Sequence, residues 1–148
     1  MKKKILLGFI VLLLLAQLLP RDKNISGSVG ERDIRKIAAI PPDVELILQK
    51  ACNDCHSNNT IYPWYSVVQP VRMWMDHHVK EGKEHLNFSE FAGYSDKKAK
   101  HKLDEIIESQ EEGWMPLTSY TLIHKEAKLT EAEKLILIEW ANQLKRMY

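Results

Sequence analysis

The sequence predicts an all-α protein, a small helical domain set behind an N-terminal apolar helix. Three observations predict it: apolar residues recur at helical spacing in several separate stretches, no alternating run is long enough for a useful strand, and start signals precede the stretches. The 148 residues contain no internal repeat and no low-complexity tract.

The chain opens with Met1-Lys2-Lys3-Lys4, followed by fifteen residues, 5–19, interrupted only by Gly8 and Gln17, and then Pro20. A charged start followed by an apolar run is the layout of an export segment. A stretch of fifteen residues fits a signal peptide and falls short of the roughly 20 of a comfortable membrane span. The exit Ala16-Gln17-Leu18-Leu19-Pro20-Arg21 carries no small-x-small cleavage pair, so residues 1–20 are expected to stay as an uncleaved signal-anchor helix. No cysteine lies near this segment, which excludes a lipid-modified anchor. The N-terminal lysines should remain cytoplasmic, although Arg21 and Lys23 weaken the asymmetry, and the rest of the chain would then lie outside the cytoplasm.

Residues 21–40 are polar with Gly27, Ser28 and Gly30, and read as a tether. The remainder, residues 41–148, is long enough for one small domain. Of 21 basic side chains three are Lys2, Lys3 and Lys4, leaving 18 against 20 acidic ones, a balance that offers no footprint for nucleic acid.

Pro41-Pro42-Asp43 can open a first helix of this domain, in which Val44, Ile47, Leu48, Ala51, Cys52 and Cys55 fall on one stripe. A second helix starts near Pro70, with Val71, Trp74, Met75, His78 and Val79 on one face, and ends about Gly82. A third follows Ser95 as N-cap, carries Ala99, Leu103, Ile106 and Ile107, and stops at Gly113. The last has a capping box, Thr130-Glu131-Ala132-Glu133, then the stripe Ile136, Leu137, Trp140, Ala141 and Leu144, expected to pack on the first helix.

Chemistry is specified most narrowly by Cys52-Asn53-Asp54-Cys55-His56, which holds both cysteines of the chain. Two thiols three positions apart followed at once by an imidazole form the attachment pattern of c-type haem: each thiol adds to a vinyl group and the histidine ligates the iron. Structural zinc normally needs four N or S ligands and, with no second cysteine pair, would have to recruit scattered histidines; a thioredoxin-like dithiol is disfavoured because no convincing strand pattern surrounds the motif. A plain disulfide across two residues is disfavoured as well. A covalently held macrocycle would supply much of so small a core, so the haem-free chain should fold poorly. Thioether attachment in bacteria takes place outside the cytoplasm, the compartment to which the N-terminal segment also points.

The sixth iron position decides between electron transfer and small-molecule binding. Met115 lies in Gly113-Trp114-Met115-Pro116-Leu117, a link after a stop glycine where proline stiffens the backbone, and it is the first candidate. His78, on the face of Trp74 and Met75, is the alternative sixth ligand, or else a core histidine. His77 projects about 100° away and should be solvated. His85, His101 and His124 carry no pattern beyond surface or helix-end placement. The loop Ser57 to Ser66, with Tyr62-Pro63-Trp64-Tyr65, is expected to wall the macrocycle, with the Pro63 region giving a backbone carbonyl to the second His56 nitrogen. Arg72 either pairs a haem propionate or is solvated.

With these segments the chain resembles the bacterial haem-binding domain family of small, membrane-anchored, cytochrome c-like proteins. The resemblance rests on Cys52 to Thr60, Tyr62-Pro63-Trp64-Tyr65, His77-His78, Gly82 to Ser89, Gly113 to Leu117 with Tyr120 and His124, and Leu129-Thr130 with Trp140. It implies one c-type haem, with its iron, on Cys52, Cys55 and His56, Met115 looking like the distal methionine of a cytochrome c. The expected function is one-electron transfer at the outer face of the cytoplasmic membrane, by a carrier rather than an enzyme, with unknown redox partner proteins. The alternative is a haem-based sensor or peroxidase-like enzyme whose sixth site is open or exchangeable.

Overall fold

The structure is a computed structural model that describes residues 1–20 and 23–148. Arg21 and Asp22, where the expected tether begins and whose arginine was counted on the outer flank, lie outside the described residues.

Helix α1, Lys2–Ala16, buries none of its residues. Fifteen residues at 1.5 Å each reach about 22 Å, less than the roughly 30 Å of a hydrocarbon core. Among the described residues no helix is long and apolar enough to cross a membrane. The chain beyond α1 is held at two points: Gln17 Oε1 accepts the Gln69 N–H at 2.9 Å, and the Leu19 carbonyl accepts from the Arg72 guanidinium at 2.7 Å.

Residues 23–40 are not a free tether. The Asn24 amide donates to the Ser57 carbonyl at 2.8 Å and to Thr60 Oγ1 at 2.9 Å, and Ile25 makes an isolated antiparallel bridge with Asn59. A 3-10 turn, Ile34–Lys36, packs on a second one, Phe88–Gly93, with Ile34 only 2% exposed. Buried Asp33 caps that turn and holds Arg35 in a two-point ion pair. Polar composition concealed the apolar anchor Ile34, buried in the core, and Ala38 and Ile40, which pack against it half-buried.

Helix α2, Pro42–Ala51, starts at the expected prolines and buries Val44, Ile47 and Leu48. Cys52 breaks the helical geometry, and α3, Asn53–His56, is one further turn. Helix α4, Val71–His85, runs past its expected end, because Gly82 is interior and its carbonyl accepts from the Leu86 N–H at 2.9 Å. A Cβ at Gly82 would stand 2.7 Å from the Cys55 carbonyl oxygen, so the glycine permits α4 to lie against the cysteine segment. The face expected to be apolar is only partly buried: Arg72 and Val79 are the buried residues of α4, and Val71 and Trp74 are exposed.

Helix α5, Asp96–Glu111, is capped by Ser95, and Gly113, at φ +74°, turns the chain away after it. Helix α6 is the turn Thr118–Thr121. Helix α7, Glu131–Lys145, carries the complete capping box at Thr130 and Glu133. It packs on α2, as expected, and more extensively on α5. Ala99, Leu103, Leu137, Trp140, Ala141 and Leu144 join Val44, Ile47 and Leu48 in the core, closed by Ile34 and Phe91. Among the described residues no strand forms.

Candidate haem site

A cavity of about 530 Å³ opens where α2 and α3 meet α4, α5 and the link to α6, and Cys52, Cys55, His56, His78 and Met115 all line it. That volume lies in the ordinary range of ligand pockets. Its walls are mostly apolar, with Leu48, Leu86, Phe88, Ile106 and Leu137 beneath and Trp114, Pro116, Leu117 and Tyr120 at the side.

The helix break at Cys52 sets the geometry of the two thiols. Both cysteines are free, and burial pushes Cys52 up to about 12 and Cys55 up to about 11, with the Asp54 carboxylate adding to the second. Both side chains are therefore neutral thiols at neutral pH.

His56 is oriented by α4 rather than by the loop that follows it. Its Nδ1 lies 2.9 Å from the Gly82 carbonyl and 3.0 Å from that of Leu86. Carbonyls only accept, so Nδ1 carries the proton and Nε2 keeps its lone pair for a metal. Burial lowers the imidazole's proton affinity, against the two carbonyls, which raise it. The expected Pro63 carbonyl is engaged elsewhere, accepting from the Ser66 N–H at 2.9 Å and the Ser66 hydroxyl at 2.6 Å. Sequence order placed Pro63 next to the motif, whereas helix packing brings the end of α4 there.

Met115 reaches the cavity from the link after Gly113. Its backbone is held to α5, the Gln110 amide donating to the Met115 carbonyl at 3.4 Å and the Met115 N–H directed at Ser109 at 3.5 Å. His78 lies on the same cavity beside Trp74, ring centroids 4.3 Å apart. His77 is exposed, as expected.

Other expectations fail here. The aromatic loop does not wall the cavity: Trp64 is 81% exposed, Tyr62 accepts the Asn24 N–H, and Tyr65 bonds His124 at 2.6 Å. Arg72 is neither solvated nor near the cavity, being buried on the Leu19 carbonyl. Neither lysine nor arginine occurs among the described lining residues.

Two residues that carry part of the resemblance have roles here that the sequence did not assign. Gly82 is not the expected helix stop: a lone glycine within a helical pattern also signals close packing, and here it lies against Cys55. Tyr120 lines the cavity and donates to Asp54 Oδ2 at 2.8 Å, while Asp54 Oδ1 accepts the Ile61 N–H at 2.9 Å. Burial and the Asp54 carboxylate raise the Tyr120 phenol, which stays a donor. Tyr120 also stacks on His124, with centroids 4.3 Å apart and 14° between planes. Asp54, one of the two residues between the cysteines, is thereby fixed from across the cavity, a contact no local pattern announces.

A haem fits these residues: two neutral thiols and an oriented imidazole on one side, a thioether on the same cavity, and apolar walls between. No curated protein and no solved structure matches the chain. A family model described as a haem-binding domain matches residues 11–143, which takes in the docked segment before α2 as well as the whole cavity. The chain belongs to the haem-binding domain family.

Proposed function

We propose that this protein carries one haem c and transfers single electrons, with Cys52 and Cys55 as the thioether residues, His56 as proximal ligand and Met115 as distal ligand. The observation that carries the reading is that all four line one cavity, with His56 Nδ1 already committed to two backbone carbonyls. When bound, the haem supplies an iron that cycles between the ferrous and ferric states. The protein's part is to hold that iron and limit its rearrangement. Gly82 and Leu86 fix the His56 ring, Tyr120 and Asp54 fix the segment between the thiols, and the link from Gly113 to Leu117 brings in a neutral sulfur. Methionine in place of a second histidine favours the ferrous state, so a fairly positive couple follows. The apolar N-terminal segment with its three lysines supports export of the domain to the outer face of the cytoplasmic membrane, where redox partner proteins would meet it.

Expression alongside haem-maturation machinery tests the reading. Haem should stay attached after denaturation, and the double variant Cys52→Ala, Cys55→Ala should lose it; unchanged attachment in that variant overturns c-type binding. Met115→Ala should convert the spectrum to that of an open sixth site that takes up carbon monoxide. Rapid carbon monoxide binding by the native protein, unaltered in Met115→Ala, would instead favour a sensor or enzyme.

A further inference from the structure

We propose that His77, His78 and Glu81 form a second metal site, for a divalent first-row transition ion, on α4 at the rim of the haem cavity. One ligand atom from each of the three lies within 4.8 Å of the others. Helix geometry explains the convergence: at about 100° per residue, Glu81 sits about 40° round the axis from His77 and about 60° from His78, one turn on and between them.

The pair His77 Nε2 and Glu81 Oε1 stands 3.3 Å apart. Ligand atoms at the usual bond lengths around a tetrahedral zinc stand roughly 3.4 Å apart, so this edge is already in place and a small rotation brings in the third ligand. His78 is positioned for that role. Trp74 supports its ring, and its Nδ1 is buried with no hydrogen-bond partner among the described residues. Two imidazoles and a carboxylate suit zinc, copper, nickel or cobalt, whereas magnesium and calcium prefer oxygen alone. His77 and Glu81 are exposed, so an ion can enter from solution, and three protein ligands leave one position open.

The chain contains its own comparison. His101 and Glu105 have the same four-residue spacing at 3.1 Å on α5, yet among the described residues no third ligand joins them. The proposal goes beyond haem binding but rests on Met115, and not His78, taking the iron's sixth position.

Titration of the full-length, haem-loaded protein with zinc alone, followed by calorimetry and by the haem absorption spectrum, tests it. One equivalent should bind, and His77→Ala and Glu81→Gln should each weaken binding about tenfold or more, with His101→Ala unchanged. Absence of a saturable equivalent overturns the proposal, as does undiminished binding in His77→Ala. A haem spectrum altered in His78→Ala before any zinc is added also overturns it, because the iron then claims that ring. Failure of haem attachment in the native protein would be read separately, from the denatured spectrum, and concerns the haem assignment alone.

Discussion

Among the glycines, Gly82 leaves the least room for a side chain. An added Cβ would meet both the Cys55 carbonyl oxygen at 2.7 Å and its Cβ at 3.0 Å, so α4 or the cysteine segment must shift. The same residue's carbonyl orients His56, and a shift therefore misplaces the imidazole. Gly82→Ala should cost about 1 to 3 kcal/mol of stability and lower haem loading. Urea unfolding and the haem-to-protein ratio measure the two effects, and wild-type values for both would refute this account of the packing. The sequence singles out Cys52 to His56 by residue type and spacing, and Cys52, Cys55 and His56 line one cavity. The carbonyls that orient His56 were not legible, because residues some thirty positions downstream supply them through helix packing.

At the scale of elements, the helix starts carry the most information. Pro42 at the head of α2, Ser95 before α5 and Thr130 before α7 are local hydrogen-bonding or steric signals, so sequence alone places them. Glu133 does more than its capping pattern says. Besides closing the box with Thr130, it accepts from Lys50 at 2.5 Å and ties α7 to α2. Its carboxyl is pulled down to about 2, first by Lys50 and then by the Thr130 N–H. A lowered folded-state value means that this stabilisation is complete above the ordinary carboxyl range and is lost as pH falls from there toward 2. Glu133→Ala should cost on the order of 1 kcal/mol at neutral pH and flatten the acid limb of the stability curve, as thermal unfolding against pH would record. The extent of α4 was misread for the opposite reason: a glycine there is a packing device, not a stop.

For the whole molecule, the boundary of the folded unit lies earlier than composition suggests. Ile34 is 2% exposed within the main core, and the match to the family begins at residue 11. Ile34→Ala should destabilise the domain by about 2 to 5 kcal/mol, measurable by urea unfolding. A tether would show no effect. What composition hid was a few apolar residues, Ile34 foremost, and one asparagine, Asn24, each useful only against partners distant in the chain.

The bonds from Gln69 to Gln17 and from Arg72 to Leu19 hold the end of the N-terminal segment to the head of α4, and the tail of α4 presents the carbonyls that steady His56. One connected path thus runs from the end of α1 to the His56 imidazole. Whatever holds α1 would therefore restrain the cavity as well: the domain would not swivel on a leash, because the chain leaving α1 is bonded to the helix that orients His56.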